Sequence, residues 1–117
     1  MADTYISFYL RANRLHVFVY ALRQIGSPRR ICFLVSKTGT SMVMVPHKKK
    51  DFISHAVPND VYTGVDSLEI CSKKLCEVIA GLHGWDLGNS YRVPGTIKEE
   101  QELVLFDLTR AEIIEKE

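Results

Sequence analysis

Asn13–Gly26, NRLHVFVYALRQIG, is the stretch whose reading decides the fold. Leu15, Phe18, Val19, Leu22 and Ile25 recur at the i, i+3, i+4, i+7 spacing of one helical face, which predicts an amphipathic helix with those side chains in the core. Asn13 is a residue type that caps a helix start, and Gly26 with Pro28 beyond it suits an end. The pattern returns 60 residues later. Leu75, Val78, Ile79 and Leu82 take the places of Leu15, Phe18, Val19 and Leu22, so a second helix is expected from a Ser72 cap to about Leu82.

Around these helices the chain reads as strands. Thr4–Leu10, Ile31–Ser36, Ser41–Pro46 and Phe52–Val57 are rich in β-branched and aromatic residues and are separated by turn-forming segments. After the loop-like 58–66, strands are expected at Ser67–Cys71, Tyr91–Ile97, Glu102–Leu108 and Ala111–Ile114, with a bulge or an edge at Pro94–Gly95. Each half is thus β-α-β-β-β: repeat 1 over about 4–57, a linker at 58–66 and repeat 2 over about 67–114, in one domain spanning 1–117. Val43, Met44 and Val45 align with Leu103, Val104 and Leu105 at the same offset. The fold class expected is α+β, two tandem repeats forming one antiparallel sheet with both helices on one face.

Apolar residues make up 46% and charged residues 25%, as in ordinary globular chains, and no segment has the roughly 18 apolar residues of a membrane span. The N-terminus lacks a basic region followed by an apolar one, so the expectation is a cytoplasmic protein without a membrane partner. Three cysteines with no CxxC pair agree; Cys32 and Cys76 are expected as small buried hydrophobes. The net charge of +1 divides unevenly: residues 1–60 carry nine Lys/Arg against three acids, and residues 61–117 carry six against eleven. Either the two halves complement each other in space, within one chain or head to tail between chains, or folding interleaves them.

A domain of two β-α-β-β-β units of about 60 residues each resembles the DNA sliding clamp, or processivity-factor, fold. The resemblance covers about Thr4 to Ile114 and is one of topology and repeat length, without a residue motif. It implies helices facing DNA and assembly of domains into a ring, hence self-association and contact with nucleic acid. The helix faces qualify this. Opposite its core stripe the first helix presents Asn13, Val17, Tyr20 and Gln24, and the second presents Lys73, Glu77, Ala80 and Gly81. A DNA-riding surface should be a field of Lys and Arg. Val17, Tyr20 and Gln24 instead mark a protein interface, with a protein partner or a second copy.

No catalytic motif is complete and no cofactor or metal is implied. Lys37-Thr38-Gly39 matches one element of a penicillin-binding site but lacks the SxxK nucleophile, and reads as a hairpin turn. His16, His47, His55 and His83 form no HxH or HxxxH pair. The sharpest basic cluster is Lys48-Lys49-Lys50, with Arg29-Arg30 as a second; together they are the candidate nucleic-acid contacts, and a solvated turn is the plainer alternative. Trp85 reads as core at the end of the helix layer, with a contact anchor as its alternative.

Overall fold

A computed structural model describes residues 2–51 and 53–114. Alternation of inward and outward side chains starts at once. In β1 (Thr4–Tyr9) the residues Thr4, Ile6 and Phe8 are buried and those between them are not. A tight 3-10 turn at Leu10–Ala12 and Asn13, in the left-handed conformation with φ 55°, fold the chain back into β2 (Arg14–Phe18).

The first half of Asn13–Gly26 is therefore a strand, and the long first helix is corrected to a short one, α1 (Val19–Gln24). RLHVF satisfies a period of two as well as it satisfies 3.6, and it has β-branched and aromatic residues. What decides is pairing on both edges: β2 lies between β1 and β6 (Ser67–Cys71), with Leu15 opposite Phe8 and Ile70, and Val17 opposite Ile6 and Leu68. Asn13 closes a hairpin and does not cap a helix. Phe18, expected in the core stripe, faces outward at 45% exposure, while Val17, expected outside, is 1% exposed.

The chain continues as β3 (Arg30–Val35), β4 (Ser41–Pro46), β5 (Ser54–Ala56) and a four-residue helical turn α2 (Val61–Gly64) inside the expected loop. Helix α3 (Lys73–His83) follows β6, its Ser72 side chain accepting a hydrogen bond from the Leu75 N–H. β7 (Ser90–Lys98), β8 (Leu103–Asp107) and β9 (Glu112–Ile114) complete the chain. The protein is thus mixed α/β. Its single antiparallel sheet has the order β5-β3-β4-β8-β7-β1-β2-β6, with β9 beside β7, and it curls almost closed around one apolar face. β7 shows no bulge. It is an inner strand that changes partner: Arg92 pairs with Glu112 of β9 and Gly95 with Phe106 of β8, and Pro94, which has no N–H, falls at the break between them.

The concave face holds one core cluster that includes Ile6, Phe8, Leu15, Val17, Met42, Met44, Val93, Val104 and Phe106. Both main helices pack into that cluster, α1 through Val19, Ala21 and Leu22, and α3 through Cys76, Ile79 and Ala80. The face of α3 is rotated from expectation: Val78 and Leu82 are exposed and Ala80 is buried. α3 begins where the Ser72 N–H donates to the Asn13 carbonyl and ends at the β3–β4 hairpin, where His83 Nε2 lies 2.7 Å from the Gly39 carbonyl oxygen. Trp85 is half-buried against the core, stacked on Tyr91 at 4.4 Å and edge-on to Phe8. Among the described residues no helix is long and apolar enough to cross a membrane.

Candidate functional site

On the convex face, strand register lines up a polar row across four strands. Arg92 lies opposite Ser7, Ser7 opposite His16, and His16 opposite Glu69. Glu69 accepts from Arg14 and sits 3.0 Å from His16 Nε2. The His16 ring meets Tyr9 edge-on at 4.7 Å, and the Arg92 guanidinium lies 4.6 Å over the Tyr5 ring. These are partly solvated pairs, each stabilising by no more than about 1 kcal/mol. The glutamate holds the histidine nitrogen it faces, so the row orders a polar, aromatic surface and leaves that nitrogen no role as a base toward Ser7.

Beside this row, where β1 and α1 begin, is a cleft of about 420 Å³. Tyr5, Phe18, Tyr20 and Val65 supply apolar walls, and Asp3, Arg23 and Asp66 supply charge. The loop from α2 to β6 is held there because the Val19 N–H donates to the Asp66 carbonyl, and Arg23 donates to the Tyr62 carbonyl at 2.6 Å. The Asp3 carboxylate accepts from the Ile97 N–H at 2.9 Å. Thr4 also lines the cleft; it is 4% exposed and its buried hydroxyl Oγ1 has no hydrogen-bond partner.

The basic residues singled out from the sequence gather at one end of the sheet. β3 pairs with β4 on one side and β5 on the other, which sets Arg29–Arg30 beside the 47–51 turn: the His47 N–H donates to the Arg30 carbonyl, and Arg30 Nε donates to Ser54 Oγ, itself bonded to the Lys49 carbonyl. Arg29, Lys48, Lys49 and Lys50 are exposed, whereas Arg30 is half-buried. Asp51 is tied to His47 at 2.9 Å, and that hydrogen bond holds its carboxyl below the usual range. Burial, with Arg30 nearby, lowers the pKa of His55 on β5. The acidic turn 99–102 belongs to the same end, since Lys98 pairs with Leu103 and the Glu102 carboxylate lies 3.9 Å from where a Cβ on Gly26 would stand. Folding therefore interleaves the two oppositely charged halves of the chain.

Of the residues proposed for a protein interface, Tyr20 is 56% exposed on α1 and Gln24 is half-buried at its last position. Val17 is core and cannot meet a partner without unfolding β2. The sequence reading missed Phe18, Val65 and Thr4. Reading TYISFYL and RLHVF as strands with a period of two would have put Phe18 outside and Thr4 inside; Val65 carries no local signal.

The cysteines separate cleanly. Cys32 and Cys76 are buried, and burial, assisted by the nearby Glu77 charge, pushes the Cys76 thiol up to about 11. Cys71 is exposed at the end of β6. At neutral pH the folded protein is expected to react with one equivalent of a thiol reagent such as Ellman's reagent and with three in denaturant. Two or three fast equivalents in the folded state would contradict the placement of Cys32 and Cys76.

Among the described residues no group of three or more His, Cys, Asp or Glu side chains is placed to hold a metal ion. Compared with family models, with curated proteins and with solved structures, the chain matches none.

Proposed function

We propose that the chain is a non-enzymatic binding module that engages nucleic acid through the cluster of Arg29, Arg30 and Lys48–Lys50, with the acidic turn 99–102 at the same end set beside Gly26. The observation that carries this is the convergence of Arg29, Arg30, Lys48, Lys49 and Lys50, far apart in sequence, onto one end of β3, β4 and β5. Four of the five are exposed, and exposed Lys and Arg release condensed counterions when they contact phosphates. A clamp-like, two-unit architecture is part of the reading. The unit expected over about 4–57 began with the strand at Thr4, but β2 intervenes before α1; counted from β2, with β1 left outside, the chain runs β-α-β-β-β twice: β2-α1-β3-β4-β5, then β6-α3-β7-β8-β9, with the turn α2 between them. Counterpart strands pair antiparallel with each other, β2 with β6 and β4 with β8, as a twofold relation between units would require. Self-association is supported by the convex row Leu34–Val43–Leu105, apolar across three neighbouring strands, with Leu34 exposed.

Binding to a labelled DNA duplex, measured at 50 and 200 mM salt, tests the reading. With four to five phosphate contacts, affinity should fall on the order of a hundredfold between the two salts. No binding at 50 mM, or binding indifferent to salt, would remove nucleic acid from the account.

A second reading, contact with a protein partner, is favoured by a separate observation. Phe18, Tyr20 and Val65 are all large, exposed and gathered around one cleft at the start of α1. Aromatic side chains grouped in this way are the anchors of protein interfaces.

A further inference from the structure

We propose that the cleft at the start of β1 and α1 is a receptor for an alkylammonium group, the chemistry shared by a free primary amine and a lysine side chain. The inference rests on the second reading above and specifies what that cleft takes. Three observations carry it.

The first is charge. Asp3 and Asp66 both line the cleft, and among the described residues neither carboxylate has a cationic partner. The cation in the lining, Arg23, is turned onto the neutral Tyr62 carbonyl and keeps its charge, so the lining carries one net negative charge. An anion would meet two carboxylates, and a wholly apolar ligand would strip water from them without return.

The second is the aromatic wall. Tyr5, Phe18 and Tyr20 line the same space. Ring faces attract ammonium and guanidinium groups, and the Tyr5 ring already carries the Arg92 guanidinium at 4.6 Å. Val65, 52% exposed, adds surface for a methylene chain.

The third is Thr4. Its hydroxyl is buried and unpartnered, which is costly in a folded protein, and the residue lines this cleft. An N–H of a primary ammonium would give that oxygen the donor it lacks once the Thr4 side chain turns it toward the cleft. The cleft's 420 Å³ is ample for four methylenes and an ammonium group.

The test is a titration followed by amide chemical shifts, with n-butylammonium, Nα-acetyl-lysine methylamide and n-butanol as probes. Butylammonium and the lysine derivative should shift the amides of Thr4, Tyr20, Val65 and Asp66, and n-butanol should bind at least tenfold more weakly. Asp66→Asn and Tyr20→Ala, both at exposed positions, should each weaken the ammonium probes several-fold. Thr4→Val should weaken them while leaving the weak affinity for butanol unchanged. Binding of both ammonium probes supports the proposal with a free amine sufficing; binding of the lysine derivative alone supports it with a protein lysine as the source. Butanol binding as tightly as butylammonium would overturn the cation chemistry while leaving an apolar protein contact standing. No shift at these amides with any probe would overturn both.

Discussion

Val17→Asp is expected to cost at least about 4 kcal/mol, close to the whole stability of a domain this size. Val17 is 1% exposed, paired between Ile6 of β1 and Leu68 of β6, and inside the single apolar cluster. A carboxylate there would lie among apolar side chains, shielded from solvent. The adjacent change, Phe18→Asp, should cost only about 1 kcal/mol, because Phe18 is 45% exposed and gives up part of its apolar contact. A helix over Asn13–Gly26 predicts the reverse order, with Val17 tolerant and Phe18 destructive. Urea-denaturation midpoints of the two variants decide between strand and helix, and a Phe18→Asp midpoint below that of Val17→Asp would refute the strand.

Gly95→Ala is the second large effect. A Cβ on Gly95 would stand 2.7 Å from two ring carbons of Phe106 and 3.3 Å from Thr4 Cγ2. Phe106 is fully buried, and Gly95 lies opposite it in the β7–β8 register, so the ring has no free direction to move. Overpacking of this kind costs about 1–3 kcal/mol, and a contact this short puts the change at the upper end. The two positions should also be coupled. In a Phe106→Leu background, which removes ring atoms, the added methyl should cost at least about 1 kcal/mol less. Additive effects of the two changes would mean that Phe106 does not cover Gly95.

The outer architecture was legible because burial leaves its period in sequence. Strands over Ser41–Pro46 and Ser67–Cys71 and the capped helix after Ser72 carry local signals strong enough to survive folding. Arg14–Phe18 did not, because Leu15 and Val19 are four apart and Leu15 and Val17 are two apart, so both periods fit the same side chains. The choice between them is made by β1 on one side and β6 on the other, and β6 lies some fifty residues away in the chain. The basic end was readable as two clusters; their meeting depends on β3 pairing with both β4 and β5. Of the cleft only Tyr20 was singled out, since its walls come from β1, the end of β2, α1 and the 65–66 loop, and the feature that marks it, an unpartnered threonine hydroxyl, exists only once the chain is folded.

Mapping a short DNA duplex onto the protein by amide chemical shifts at low salt tests whether the Arg29–Arg30 and Lys48–Lys50 cluster meets nucleic acid. The shifts should centre on Arg29, Arg30 and Lys48–Lys50, fade as salt is raised, and be lost in a Lys48→Ala, Lys49→Ala, Lys50→Ala variant that keeps its fold. Shifts centred instead on α3, or a triple variant that binds duplex as tightly as the parent, would contradict it.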